Sequence, residues 1–107
     1  MNVTQTEKAV RFRSLHDGPD TFVIPNPWDV GSACILAGLG FKALATSSAA
    51  AACAVGRRDG DLTRDEALAH ARFIVHATDL PVSADLEKGW SGSKENHFRC
   101  GIWLPPV

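Results

Sequence analysis

The sequence offers no framework for a disulfide or zinc scaffold: its three cysteines, Cys34, Cys53 and Cys100, are an odd number and fall into no C-x-x-C or Cys/His spacing. Reduced thiols follow. No apolar stretch approaches the roughly 20 residues that span a bilayer, and the opening MNVTQTEKAVRFRSLHDG lacks the uninterrupted apolar core of a signal peptide. A cytoplasmic location is the expectation. There is also no excess of one charge. The formal net charge is -1 and the basic residues are dispersed, which argues against nucleic-acid or membrane partners. The G-x-x-x-x-G-K-[ST] and G-x-G-x-x-G signatures are missing, which disfavours a small phosphate-binding βα domain, and the missing C-x-x-C disfavours a redox one. Four histidines (His16, His70, His76, His97) are scattered, and the separation of His70 from His76 puts them on different faces of any helix they share.

What is present is globular. With 45% hydrophobic and 21% charged residues, the 107-residue chain has the composition of one small folded domain, and small-molecule chemistry is the expected activity. Residues 4 to 16 set Val10, Phe12 and Leu15 among charges in a helical pattern that Gly18-Pro19 ends. TFVIP (21 to 25) is a brief β-rich run. Asn26-Pro27-Trp28-Asp29 then has the look of a helix start, with Asn26 as cap, Pro27 at the first position and a helix from Trp28 to about Leu39, stopped at Gly40. KALATS (42 to 47) is a second short strand. Residues 48 to 61 form a loop with at most a turn of helix in the alanine run. Thr63 and Glu66 make a capping box for an amphipathic helix through Leu68, Ala71, Ile74 and Val75. PVSADL is a third strand. The alternation is that of a parallel sheet with helical crossovers, whereas residues 91 to 107, SGSKENHFRCGIWLPPV, break it and read as an atypical, truncated or frame-shifted tail.

In such architectures ligands bind beyond the carboxyl ends of the strands. Three places qualify. Capping preferences account for Pro25 to Asp29. Thr46-Ser47-Ser48-Ala49, followed by Gly56-Arg57-Arg58-Asp59-Gly60, would let backbone N–H groups approach a carboxylate or phosphonate, although composition alone favours a simple turn at Asp59-Gly60. Finally, strand alternation sends Asp85 and Glu87 to one side, which suits Mg²⁺ as well as it suits a solvated charge cluster.

The phrases PNPWD, TSSAA, GRRDG, LTRDEALAHA and VSADLEKG, in this order over about residues 8 to 90, resemble the isocitrate lyase/phosphoenolpyruvate mutase family, in the branch of methylisocitrate lyase and carboxyvinyl-carboxyphosphonate phosphorylmutase relatives. The resemblance implies an α/β fold: the N-terminal portion, about three βα units over residues 1 to 90, of a (β/α)₈ TIM-type barrel that is incomplete here. It also implies Mg²⁺ as cofactor, a small carboxylic acid as substrate, and the making or breaking of a C–C or P–C bond beside a 2-oxo group. Ser47, Ser48 and Ala49 match the family's substrate-clasping segment. Asp59 matches an acidic residue near the substrate, and Asp85 one carboxylate of the D-A-D metal motif. Ser83 stands where that motif has its first Asp, so Glu87 is the candidate replacement, and Ala45 stands where the mutase has an aromatic residue. The family's later carboxylates, lid and substrate-gripping Arg have no counterpart in residues 91 to 107.

The leading expectation is therefore a fragment of a Mg²⁺-dependent lyase, decarboxylase or phosphonomutase acting on 2-oxo or hydroxy acids and inactive alone. The rival is a non-catalytic soluble fragment that persists by pairing with another chain, because an unclosed parallel sheet exposes its edges. A homo-oligomer is left open.

Overall fold

The computed structural model describes residues 3–90. Its elements are α1 (Gln5–Asp17), α2 (Val30–Gly38), β1 (Leu44–Ala45), α3 (Ser48–Ala54), α4 (Arg64–Ala77) and β2 (Val82–Ser83). β1 and β2 pair in parallel, Leu44 against Val82 and Ala45 against Ser83. A parallel pair cannot be joined by a hairpin, so the chain between them must cross over, and α3 and α4 are that crossover. The expected tail at 91 to 107 lies outside the described residues.

Both ends of β1 are fixed by backbone hydrogen bonds to β2 and its approach: Leu44 N donates to the Pro81 carbonyl at 2.9 Å and Thr46 N to the Ser83 carbonyl at 2.8 Å. The expected strand at 21 to 25 runs along β1 but is not a strand. Ala45 N donates to the Pro25 carbonyl at 3.0 Å, and the Asn26 side-chain amide donates to the Ala45 carbonyl at 2.9 Å. Pro25 and Pro27 have no N–H to continue a ladder, so a side chain closes it. That use of Asn26 also corrects the helix start. The N-cap of α2 is Asp29, whose carboxylate accepts from Ser32 N, while Ser32 Oγ accepts from Asp29 N. Pro27 lies fully buried ahead of the helix.

The remaining boundaries follow from local chemistry. Gly40 ends α2 at φ +97°, with Gly40 N on the Ala37 carbonyl and Phe41 N on that of Leu36. This is a Schellman stop, and its left-handed residue is where the missing Cβ counts. The alanine run forms more helix than expected because Ser47, in extended conformation, caps α3 by accepting from Ala50 N at 3.2 Å. The predicted box at α4 is present, with Thr63 and Glu66 bonded reciprocally. Thr4 and Glu7 build another at α1.

The core sits where α2 and α4 cover the sheet: Ala33, Leu44 and Ile74 are completely buried, with Leu36, Ala77, Leu80 and Val82 packed around them. A smaller cluster of Ala51, Ala52 and Leu62 lies under α3. Alanines predominate on the buried faces, which lets the elements approach closely. α1 is attached differently. Val10 is exposed and Phe12 and Leu15 are half-buried, so the expected apolar face is not what docks it. Lys8 is the residue of α1 that is buried, and its Nζ donates to the carbonyls of Val75 and Thr78, each at 3.1 Å, at the end of α4. A cation there meets the negative end of the helix dipole. Burial pushes the Lys8 pKa below its ordinary value, partly opposed by Asp79. Phe12, His16 and Phe22 add edge-to-face ring contacts.

Replacing Lys8 with Ala should lower stability in urea unfolding by about 1–3 kcal/mol, since it strands two carbonyls that the ammonium now satisfies. Thr63→Ala should lose about 1 kcal/mol by removing the α4 cap. The Glu66 pKa is held below its ordinary value first by the Thr63 N–H and then by Arg57. A depressed folded-state pKa contributes stability above the unfolded value, which is lost as pH falls through the folded one. Glu66→Gln should therefore flatten the acid limb of the stability profile below about pH 4.5, the ordinary value.

Candidate functional site

The carboxyl ends of β1 and β2 lie side by side, and a cleft opens there. Its walls come from five segments: Thr46, Ser47 and Ser48 after β1, Ala51 on α3, Gly60 and Leu62 on the following loop, Ala67 and His70 on α4, and Asp85 and Glu87 after β2. Parallel pairing makes this convergence necessary, because both strands run out of the sheet in the same direction.

Asp85 organises the floor. Its backbone N–H donates to Thr46 Oγ1 at 2.9 Å. One carboxylate oxygen accepts from Glu87 N at 3.0 Å, the other from Ser48 N at 3.3 Å. The side chain thus ties the two strand ends together while each oxygen retains a lone pair for another partner. Asp85 and Glu87 reach the same cleft, as expected, but not by strand alternation. β2 ends at Ser83, the Asp85 carboxylate turns the chain, and Glu87 sits at φ +49°. That left-handed conformation is uncommon for a side chain bearing Cβ. The position a Cβ would take on Gly60 is 4.0 Å from Glu87 Oε1, so Glu87 spans toward the loop from the opposite wall.

The other expected site residues divide. Ser47 and Ser48 line the cleft, the first with its hydroxyl engaged as the α3 cap and the second through its backbone N–H. Ala49 is exposed on α3 and Asp59 is exposed on the loop before Gly60, both outside the set of wall residues. Arg57 on that loop is held by Glu66 of α4, and Arg58 pairs with Asp61. Ala51, Leu62, Ala67 and His70 were not foreseen as wall residues, and Thr46 was expected there only as part of the strand-end segment. Thr46 is buried, and its hydroxyl role depends on β2 lying beside it. His70 bonds through Nε2 to the Trp28 carbonyl at 2.8 Å. α4 carries two histidines, His70 and His76, and nothing in their spacing signals that His70 meets Trp28.

Among the described residues, no group of three or more His, Cys, Asp or Glu side chains is arranged to hold a metal ion. Cys34 and Cys53 are free and exposed, and no helix is long and apolar enough to cross a membrane. Thr46→Val keeps the shape but leaves the Asp85 N–H without its acceptor. The expected loss is about 1–3 kcal/mol, with faster hydrogen exchange at the Asp85 amide; unchanged exchange there would show that the hydroxyl does not hold the floor.

Comparison with known proteins places this geometry. The family model described as phosphoenolpyruvate phosphomutase matches residues 12–100. The chain is 37% identical over 90 residues to the 2-methylisocitrate lyase of Bacillus subtilis (strain 168), covering 83% of this chain and 30% of that protein. A crystal structure from Burkholderia cenocepacia J2315, described as a lyase/mutase, superposes with a TM-score of 0.87 at 44% identity over 94% of this chain and 37% of that one. The crystal structure of 2,3-dimethylmalate lyase, a member of the PEP mutase/isocitrate lyase superfamily, gives a TM-score of 0.70 at 31% identity over 88% of this chain and 36% of that one. The chain thus spans about a third of the length of these relatives. Its ordered phrases, its parallel strand pair with both strand ends in one cleft, and these matches together show that the chain belongs to the phosphoenolpyruvate phosphomutase family.

Proposed function

We propose that residues 1 to 90 are the first part of a (β/α)₈ barrel and carry half of the site of a Mg²⁺-dependent enzyme. That enzyme makes or breaks a C–C or P–C bond in a small 2-oxo or hydroxy acid. The observation that carries the reading is Asp85, which joins the ends of β1 and β2 and shares one cleft with Glu87. The donor set fits the ion: Mg²⁺ takes oxygen ligands, keeps several waters, and is commonly bound through one or two carboxylates plus substrate. Asp85 and Glu87 would hold it. When bound, it supplies Lewis-acid stabilisation of an enolate oxygen.

The chain's own groups do the rest of what this half offers. Ser47 and Ser48 border the place where a substrate carboxylate would lie, and Ala49 and Asp59 flank it on α3 and the loop as candidate contacts. Arg57, fixed by Glu66, anchors that loop to α4 and so holds Gly60 against the cleft. The apolar wall of Ala51, Leu62 and Ala67 keeps water from that side. The remainder of the site lies beyond these elements, so the 107-residue chain by itself is inactive. The solvent-facing Ile35, Leu39 and Phe73, each at least 65% exposed, favour a second reading in which the chain persists by pairing with another.

With Mg²⁺ and oxaloacetate, methylisocitrate or phosphonopyruvate, the purified chain should give no turnover, and turnover would overturn the half-site reading. Mg²⁺ affinity measured by calorimetry should fall about tenfold or more in Asp85→Asn and in Glu87→Gln; affinity unchanged in both would remove the metal assignment. Sedimentation that shows a stable monomer at high concentration would oppose pairing.

A further inference from the structure

The chain after β2 takes a backbone path that its residue types do not favour. Glu87, Gly89 and Trp90 all have left-handed φ, at +49°, +75° and +54°. Gly89 N donates to the Leu86 carbonyl at 2.8 Å, which makes Glu87 the first central residue of a turn. Left-handed φ at that position is the province of glycine. A residue bearing Cβ persists there only where its surroundings over-determine the conformation. Glu87 therefore needs a holder outside its own turn.

Two anchors supply it. Ahead of the turn, Asp85 is fixed to the end of β1, with its N–H on Thr46 Oγ1 and its carboxylate on Ser48 N. Behind the turn, the indole Nε1 of Trp90 donates to the Leu62 carbonyl at 3.3 Å. Among the described residues this is the one hydrogen bond that carries the segment Leu86 to Trp90 to a distant element, since Glu87 N bonds to Asp85 and Gly89 N to Leu86. Leu62 is a firm support. It is buried with Ala51 and Ala52, and the next residue, Thr63, caps α4. Residues 86 to 89 must then bridge two fixed points. That closure selects the left-handed path and brings Glu87 toward Gly60.

We propose that Trp90 is a positioning residue: its indole N–H, bonded to the Leu62 carbonyl, holds the turn after β2 so that the Glu87 carboxylate enters the cleft opposite Gly60. For its effect on Mg²⁺ the inference rests on the reading of Glu87 as a metal ligand. A partner that orients a ligand changes metal affinity without touching the ion. Phenylalanine at this position keeps an aromatic ring and removes only the donor.

The test compares the whole wild-type chain with Trp90→Phe, Glu87→Gln and the double variant, by NMR and by calorimetry with Mg²⁺ alone. In the wild type the Trp90 indole N–H should exchange with solvent more slowly than a free indole. In Trp90→Phe the one-bond Cα–Hα coupling of Glu87, which reports the sign of φ, should move away from its left-handed value. The Gly89 amide should exchange faster, while the Leu44 amide, bonded to the Pro81 carbonyl, stays as protected as before. Mg²⁺ affinity should fall about tenfold in Trp90→Phe. The double variant should bind no more weakly than Glu87→Gln, because both changes act through one carboxylate. Wild-type indole exchange at the free rate, an unmoved Glu87 coupling, an equal loss of protection at Leu44, or additive losses of affinity overturns the inference. Should Trp90→Phe not fold, the wild-type indole exchange decides. The two readings fail separately. Equal Mg²⁺ affinity in wild type and Glu87→Gln removes the metal role of Glu87, and the Glu87 coupling and Gly89 exchange then decide the role of Trp90 without the ion.

Discussion

The parallel pairing of two very short strands is the constraint on which the rest of this structure depends. Leu44–Ala45 and Val82–Ser83 exchange few hydrogen bonds, too few to stabilise a sheet by themselves. Their orientation nonetheless forces the crossover through α3 and α4, and the crossover brings α4 back across α2 to bury Ala33, Leu44 and Ile74. The same orientation sends Thr46 and Asp85 out of one edge of the sheet together. Core and cleft are two consequences of one geometric requirement.

Side chains complete backbone networks throughout the fold, and the functional candidates do so as well. Asn26 closes the ladder where proline cannot, Lys8 satisfies the last carbonyls of α4, and Asp85 satisfies an N–H at the start of α3 and another in its own turn. For Asp85 this duty does not compete with chemistry, since a carboxylate has more lone pairs than the two donors occupy. A hydrogen-bonded carboxylate is also oriented, and orientation is what a metal ligand or substrate contact requires.

Family membership fits this local picture. The relatives include a lyase and a protein described as a lyase/mutase, and the matched third of those proteins contains the strand ends on which one half of a barrel site would be built. Glu87 reaches the cleft through a left-handed turn.

Much of this was legible in the residues. The Thr63–Glu66 box and the Gly40 stop are decided by chemistry within a few residues, and each is present as read. The five ordered phrases carried the family. What local patterns misplaced was decided by distant partners. Asn26 looks like a cap until Ala45 lies beside it, and the run at 21 to 25 looks like a strand until its neighbouring prolines meet β1 with no N–H to give. Lys8 looks like a solvated helix residue until the end of α4 covers it. Thr46 and His70 belong to the cleft because of contacts with Asp85, 39 residues away, and Trp28, 42 residues away. Sequence alone determined α1, α4, the Gly40 stop and the lineage, since those depend on propensity, capping and order. Only the tertiary structure decided which polar groups meet, because a hydrogen-bond partner supplied by crossover leaves no periodic trace in the chain that supplies it.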